Sequence, residues 1–161
     1  MPRRPPLNWS ALRLLAVGGA ALLFLLLVAS QCQTPGVVAI RPPSGEGSAC
    51  SDLNLALPEQ VNGQDRRRTT PESDRTDAWG TPAVVLRCGV DRPAGLMAMS
   101  EVVEVNGVGW FFEERRNAYV FTTVGRTTYV EVQVPLGIPR DQATGPLVDL
   151  ARPVKRTVPL G

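Results

Sequence analysis

The sequence of 161 residues contains no histidine. This absence excludes a Ser-His-Asp triad, a cysteine nucleophile activated by histidine, and a zinc site with histidine ligands. The three cysteines, at positions 32, 50 and 88, are too far apart to form the C-x-x-C motif of redox proteins. Paired carboxylates remain as the acid–base device that this chain can offer. We therefore predict neither a cofactor nor a metal ion.

No acidic residue precedes Glu46, and the longest apolar run of the chain lies in this part. Residues 14–29 carry no polar side chain, and three arginines precede them. A bilayer core of about 30 Å is spanned by about 20 helical residues, so we predict a transmembrane helix over residues 14–31. By the positive-inside rule, residues 1–13 form a cytoplasmic arm and the chain beyond the helix lies outside the cytoplasm. The expected location is the plasma membrane, with a single pass.

Two alternatives for this segment remain open. The small residues Val28, Ala29 and Ser30 form an acceptable cleavage site, which would make the segment a secretory signal peptide. Cys32 is the first cysteine after the apolar run, and its lipidation would make the protein a lipoprotein. Gln31 argues against lipidation, because lipoprotein signals have a small residue directly before the modified cysteine. The transmembrane helix and both alternatives place the remaining chain outside the cytoplasm.

The exported part is nearly neutral. The chain has 17 basic and 15 acidic residues, and subtracting the three N-terminal arginines leaves 14 against 15 from Gln33 onward, a formal charge of −1. A net charge this close to zero does not indicate nucleic-acid binding. We expect the partners to be the membrane, through the N-terminal helix, and a protein or polymer of the cell envelope.

The exported part has room for one domain. Residues 32–47 are rich in proline and glycine and are predicted to form a linker. Residues 48–151 are long enough for one extracytoplasmic domain with its own core. Residues 152–161 are expected to form a frayed tail.

Two short helices are predicted at the start of this domain. Ser48 can cap the first helix, and Pro58 ends it. The second helix begins at Thr70-Pro71, which supplies a capping hydroxyl and a proline at the first helical position, and runs to about Ala78.

Strands are predicted in the second half of the domain. Residues 83–88 are almost continuously apolar and are expected to form a central strand that is buried on both faces. Asn106-Gly107 is typical of a two-residue hairpin turn, and a second hairpin is expected around Gly125-Arg126. Alternation places Val103, Val105, Val108, Trp110 and Phe112 on one face of the first hairpin, and Tyr119, Phe121, Val130, Val132 and Val134 on one face of the second. The pattern predicts an α+β domain with two short helices packed on a mostly antiparallel sheet of four to five strands.

A set of short blocks is distinctive in combination. These blocks are Cys50, Leu57-Pro58, Trp79-Gly80-Thr81-Pro82, Leu86-Arg87-Cys88-Gly89-Val90, Arg92-Pro93, residues 106–110 and residues 130–135. Together they resemble an actinobacterial family of membrane-anchored proteins, the domain of unknown function 3515. The resemblance implies a small exported protein of the cell envelope with one N-terminal membrane segment or lipoprotein signal, and it implies no catalytic residues.

Cys50 and Cys88 are the two cysteines of the exported domain. Outside the cytoplasm an even pair in a small domain usually forms a disulfide, so we predict a bond that ties the first helix to the central strand. Two free buried thiols are the alternative. Cys32 is left over beside the membrane segment, where it is the candidate for lipidation.

Arginines provide two candidate polar sites. Arg66, Arg67 and Arg68 would suit phosphate or an anionic polymer, although a solvated turn neutralised by nearby acids is the simpler interpretation. Arg87 interrupts an apolar strand and needs a carboxylate or several carbonyl groups as partners. We expect a structural ion pair at Arg87, with ligand capture as the alternative.

Acid pairs within a single strand cannot act together. Glu113 and Glu114 are adjacent, so their side chains point to opposite faces, and the odd spacing of Glu101 and Glu104 has the same effect. A hydrolytic dyad therefore needs carboxyls from different elements.

Such a dyad would hold its carboxyls about 5–9.5 Å apart in a shared pocket. The candidate pairs are Glu113 with Glu131 and Glu113 with Asp77. Trp79 and Phe111 are the aromatic residues expected to stay exposed and to stack on a sugar beside such a pair.

We therefore expect a membrane-anchored extracytoplasmic protein of the cell envelope with a non-catalytic binding or structural role. The alternatives are a carboxylate-based envelope hydrolase and a lipoprotein anchored through Cys32. The candidate ligand or structural contacts are Trp79, Arg87, Phe111 and Glu113.

Overall fold

The computed structural model of the chain describes residues 38–44 and 48–161. They belong to one compact unit, Val37–Gly161. The predictions for the cytoplasmic arm, the transmembrane helix and Cys32 lie outside the described residues. Within the described ranges, no helix has the length and apolar character needed to cross a membrane.

Strands dominate the described part of the chain. They are β1 (Val38–Ala39), β2 (Gln60–Val61), β3 (Gln64–Arg67), β4 (Thr69–Thr70), β5 (Thr76–Trp79), β6 (Val84–Val90), β7 (Val102–Val105), β8 (Val108–Arg115), β9 (Ala118–Thr123) and β10 (Tyr129–Pro135). The helices are α1 (Ala49–Ala56) and α2 (Gly145–Thr157), and a 3-10 turn spans Arg140–Gln142. Eight strands form one antiparallel sheet in the order β2-β3-β5-β6-β10-β9-β8-β7, while β1 and β4 form a separate parallel pair. The architecture is α+β as predicted, but the prediction of four to five strands is wrong.

The additional strands come from residues 60–79. Asn62 and Gly63, with φ values of 50° and 70°, connect β2 to β3 in a two-residue turn. The predicted second helix is wrong, because Thr76–Trp79 forms β5 and pairs with β3 on one side and β6 on the other. All four residues of β5 are buried, and this burial between two strands outweighs the local helix-start signal.

The two predicted hairpins are confirmed. Asn106 and Gly107, with φ values of 50° and 78°, connect β7 to β8 and place Val103 opposite Trp110. In the second hairpin, Phe121 of β9 lies opposite Val132 of β10. The register of the first hairpin is the one predicted from its two-residue turn. In the second hairpin the connection spans residues 124–128, so the pairing is shifted by two positions from that of a two-residue turn at Gly125-Arg126. A shift of two keeps the predicted residues on one face.

Strand β6 lies between β5 and β10, in the central position that was predicted. Leu86 and Cys88 are 1% exposed, whereas Arg87 between them is only half-buried. The prediction that this strand is buried on both faces is wrong, because α1 and α2 contribute to a core on one face only. We call the face with Leu86 and Cys88 the helix face, and the opposite face with Arg87 and Glu131 the outer face.

Helix α2 completes the core on the helix face. Its fully buried aliphatic residues are Leu147, Leu150, Ala151 and Val154. Their spacing is that of one helical face, so their burial stabilises the helix although Pro153 lies inside it. The predicted tail over residues 152–161 and the predicted domain end at residue 151 are therefore wrong.

Part of the predicted linker also belongs to the domain. Val38–Ala39 pairs with Thr69–Thr70, and Ile40 is 8% exposed. The linker predicted over residues 32–47 is therefore wrong at residues 38–40, where the N–H groups of Val38 and Ile40 donate to the carbonyls of Arg68 and Thr70.

A disulfide ties α1 to the sheet. Cys50 in α1 and Cys88 in β6 are bonded, with their Cα atoms 5.6 Å apart. Both residues are 1% exposed, so the bond lies in the core. The predicted pairing is confirmed.

Removal of this bond should lower stability measurably. It joins residues 38 positions apart, and in the chain-entropy model such a crosslink stabilises by about 3–4 kcal/mol. A double Cys50→Ala, Cys88→Ala variant should lose about this free energy of unfolding in a urea titration. Free alkylation of both thiols in natively exported protein would contradict the bond.

Candidate functional site

A row of side chains crosses the outer face. The strand register aligns Thr76, Arg87, Glu131, Thr122 and Phe111 across five neighbouring strands. Directly paired residues project to the same side of a sheet, so these five side chains share the outer face. Arg87 and Glu131 are therefore direct neighbours near the middle of the sheet.

The Glu131 carboxylate is the centre of a chain of ion pairs. It is 4% exposed and accepts hydrogen bonds from Arg87 over 3.1 Å, Arg115 over 3.1 Å and Gln133 over 2.8 Å. Arg115 also donates to Glu113 over 2.9 Å. A buried carboxylate is tolerated when charge and hydrogen bonds compensate it, and here both of its oxygens are occupied.

Arg115 bridges the two acids and is held in its charged form. Burial lowers the pKa of Arg115, but its contacts with Glu113 and Glu131 outweigh this effect, so the pKa lies above its ordinary value. The guanidinium is therefore charged at neutral pH.

A cavity of about 550 Å³ opens on this face. Residues 41–44 form one wall, and its charged lining consists of Arg41, Arg87, Asp91, Arg92, Arg115 and Glu131. Four positive and two negative groups give a formal charge of +2, whereas the chain from Gln33 onward carries −1 in total. Arg41 and Arg92 are exposed and form no ion pair with any residue of the described ranges.

A family model described as a protein of unknown function (DUF3515) matches residues 11–161. The chain belongs to this family. No curated protein and no solved structure matches the chain.

In this DUF3515 protein, three of the four candidate contact residues share the outer face. Arg87 forms the predicted structural ion pair, Glu113 lies at the end of the ion-pair chain, and Phe111 lies in the same row as Arg87. The expected exposure of Phe111 is wrong, since it is 9% exposed. A Cβ atom at Gly95 would lie 3.5 Å from the ring of Phe111, so the loop after β6 covers it.

The fourth candidate, Trp79, is on the helix face. It is 0% exposed, and its Nε1 donates to the carbonyl of Pro58 over 3.0 Å. The expectation of an exposed Trp79 is wrong, because the pairing of β5 with β6 directs this side chain into the core beside Val84.

The acid pairs do not have the arrangement that a hydrolytic dyad needs. Glu104 lies opposite Gly109 and has no acidic neighbour across the strand. Glu113 and Glu131 do approach each other, but the guanidinium of Arg115 contacts both carboxylates and occupies the place of a reacting group. Asp77 pairs with Leu86 on the helix face, so it cannot act with Glu113.

Asp77 lies instead at a second cavity of about 820 Å³. It is 5% exposed and accepts hydrogen bonds from Arg66 Nε and from Asn54 Nδ2, each over 2.8 Å. Burial raises the pKa of Asp77, and the bonds from Arg66 and Asn54 act against this rise. Arg66 and Arg67 belong to strand β3, so the interpretation of the arginine triplet as a solvated turn is wrong.

Arg115, Arg41 and Arg92 were not recognised from the sequence. A period of two along β8 relates Phe111, Glu113 and Arg115, and this alternation was the signal that places Arg115 on the candidate face. For Arg41 and Arg92 no local signal exists, because they reach the cavity from loops.

Neutralising the central carboxylate should destabilise the domain. Glu131→Gln leaves Arg87 and Arg115 without their shared partner, and since both are partly hydrated we expect a loss of about 2–3 kcal/mol in the free energy of unfolding. Chemical denaturation of the purified chain measures this change.

Glu114→Gln is the matched control. Glu114 pairs with Arg140 at the surface, where both side chains are at least half exposed, so the variant should lose at most about 1 kcal/mol. Equal effects of the two substitutions would contradict a structural role for the buried pair.

Proposed function

We propose that this protein is a membrane-anchored, extracytoplasmic component of the cell envelope that binds a partner through the outer face and is not an enzyme. The apolar segment over residues 14–29, preceded only by basic charge, supports the anchor. The disulfide supports an extracytoplasmic location, since such bonds persist in oxidising compartments.

The observation that carries the binding role is the cavity on the outer face. Arg87 and Arg115 are fixed by Glu131, whereas Arg41 and Arg92 retain hydrogen-bond donors for a partner. Guanidinium groups bind carboxylates and phosphates in a planar, two-bond geometry. The favoured partner is therefore an anionic polymer of the envelope. A protein partner is less favoured, because protein interfaces have an apolar centre and this lining is mostly charged.

The location can be tested by topology. A reporter that is active only outside the cytoplasm, fused after Gly161, should be active and should stay with membranes after an alkaline wash. Mass spectrometry of the mature N-terminal peptide should show an uncleaved segment with an unmodified Cys32.

A lipid on Cys32 would replace the transmembrane anchor by a lipoprotein anchor, and cleavage after Ala29 would remove the anchor. Reporter activity confined to the cytoplasm would contradict the proposal as a whole.

Binding can be tested with soluble polyphosphate as the anionic probe. A double Arg41→Gln, Arg92→Gln variant should bind at least about tenfold more weakly than the parent chain, because each charged hydrogen bond contributes about 1.5 kcal/mol or more. Isothermal titration calorimetry at two salt concentrations gives the affinity and its ionic component.

Arg116→Gln is the control, because Arg116 is exposed in the turn between β8 and β9 and does not line the cavity. The same loss in this variant would show that only net charge matters, and the proposed site would then be wrong.

A carboxylate-based hydrolase is the second candidate, and Asp77 is the observation that favours it. A buried acid with a raised pKa beside a large cavity is typical of a proton donor. Its oxygens, however, already accept bonds from Arg66 and Asn54. If the protein has an envelope-hydrolase activity and a folded Asp77→Asn variant loses it, the hydrolase is the correct function.

A further inference from the structure

A second cationic cavity lies on the other side of the domain. It has a volume of about 710 Å³ and is bounded by α2, the turn between β7 and β8, and the segment that follows α1. Its three basic residues are Arg152, Lys155 and Arg156, all exposed on α2. They are three and four positions apart, so they project side by side from one face of the helix.

The positive charges of this cluster are not neutralised by the residues around it. Asp149 is the one acid among the lining residues, and its Oδ2 accepts the backbone N–H of Asn62 over 2.8 Å. None of the three basic residues forms an ion pair within the described ranges. Like charges at such helical spacing repel one another, so the arrangement favours an anion that bridges them.

The wall opposite α2 is held in place by specific contacts. Asn106 Nδ2 donates to the carbonyl of Val148 over 3.2 Å, which fixes the hairpin turn against the helix. A Cβ atom at position 107 would lie 2.8 Å from Lys155 Nζ, so Gly107 leaves the space that the ammonium group occupies. The Lys155 charge therefore sits between the turn and the helix.

The helix dipole explains only part of this pattern. Cations in the last turn of a helix are favoured by its dipole, and this accounts for Lys155 and Arg156. It does not account for Arg152 one turn earlier or for the hairpin turn that closes the cavity.

We propose that this cavity binds a phosphate-type oxyanion through Arg152, Lys155 and Arg156. Free phosphate and the headgroup of an anionic phospholipid carry the same chemistry, and guanidinium and ammonium groups recognise both. This site is independent of the proposed role of the outer face, because it shares no lining residue with that cavity.

The test follows backbone amide resonances of the full chain in micelles of an uncharged sugar detergent. One arm adds inorganic phosphate, and the other adds phosphatidylglycerol to the micelles. We expect saturable shifts at Asn106, Gly107, Arg152 and residues 154–156 in at least one arm. Response to phosphate identifies the free ion, and response to phosphatidylglycerol alone identifies the lipid headgroup.

A double Arg152→Gln, Lys155→Gln variant should raise the dissociation constant at least about tenfold. Both positions are exposed and glutamine is a good helix former, so the fold should be kept, as unchanged resonances of Val130 and Val132 would show. The Arg116→Gln variant should bind like the parent chain.

Three results would overturn the proposal. They are the absence of shifts in both arms, undiminished shifts in the double variant, and the same shifts on addition of sodium chloride at equal ionic strength. If polyphosphate does not bind at the outer face, the expected shifts at the α2 cavity are unaffected. Failure of one proposal can therefore be distinguished from failure of the other.

Discussion

The carboxylate of Glu131 is buried near the middle of an eight-stranded sheet, and its burial constrains the outer face around it. Taking a carboxylate out of water costs several kcal/mol unless charges and hydrogen bonds compensate. Arg87, Arg115 and Gln133 provide this compensation. The two arginines are therefore fixed in orientation by Glu131 where they line the cavity, which is the basis of the proposed binding role. Preorganised charge lowers the cost of binding, because fewer side chains lose freedom on contact.

The same contacts argue against hydrolytic chemistry at this face. Arg115 lies between Glu113 of β8 and Glu131 of β10, so this acid pair serves as an ion-pair scaffold. The helix face differs from the outer face because it carries the hydrophobic core. There, the disulfide between Cys50 and Cys88 and the packing of α2 stabilise the domain. The disulfide and the ion-pair scaffold thus lie on opposite faces of one sheet.

Local signals predicted the parts of the fold that depend on local geometry. The turn at Asn106-Gly107 fixed its hairpin register, and the exported cysteines predicted the disulfide. The sheet was underestimated because an equivalent turn at Asn62-Gly63 was not recognised as a hairpin. Helix α2 was missed although its apolar stripe has helical spacing, since a frayed tail was predicted from residue 152 onward. The ion pair of Arg87 was expected, but its partner could not be predicted. Glu131 is 44 residues away, and the pairing of β6 with β10 follows from the global order of the strands.

The central claim is that Arg115 and Glu131 form a coupled structural pair that shapes the outer face. A double-mutant cycle of Arg115→Met and Glu131→Gln, measured by the free energy of unfolding, tests it most directly. We predict a coupling energy of about 1–3 kcal/mol, because the two side chains are in contact and Glu131 is buried. Additive effects within about 0.3 kcal/mol would contradict the account, since the two residues would then act independently.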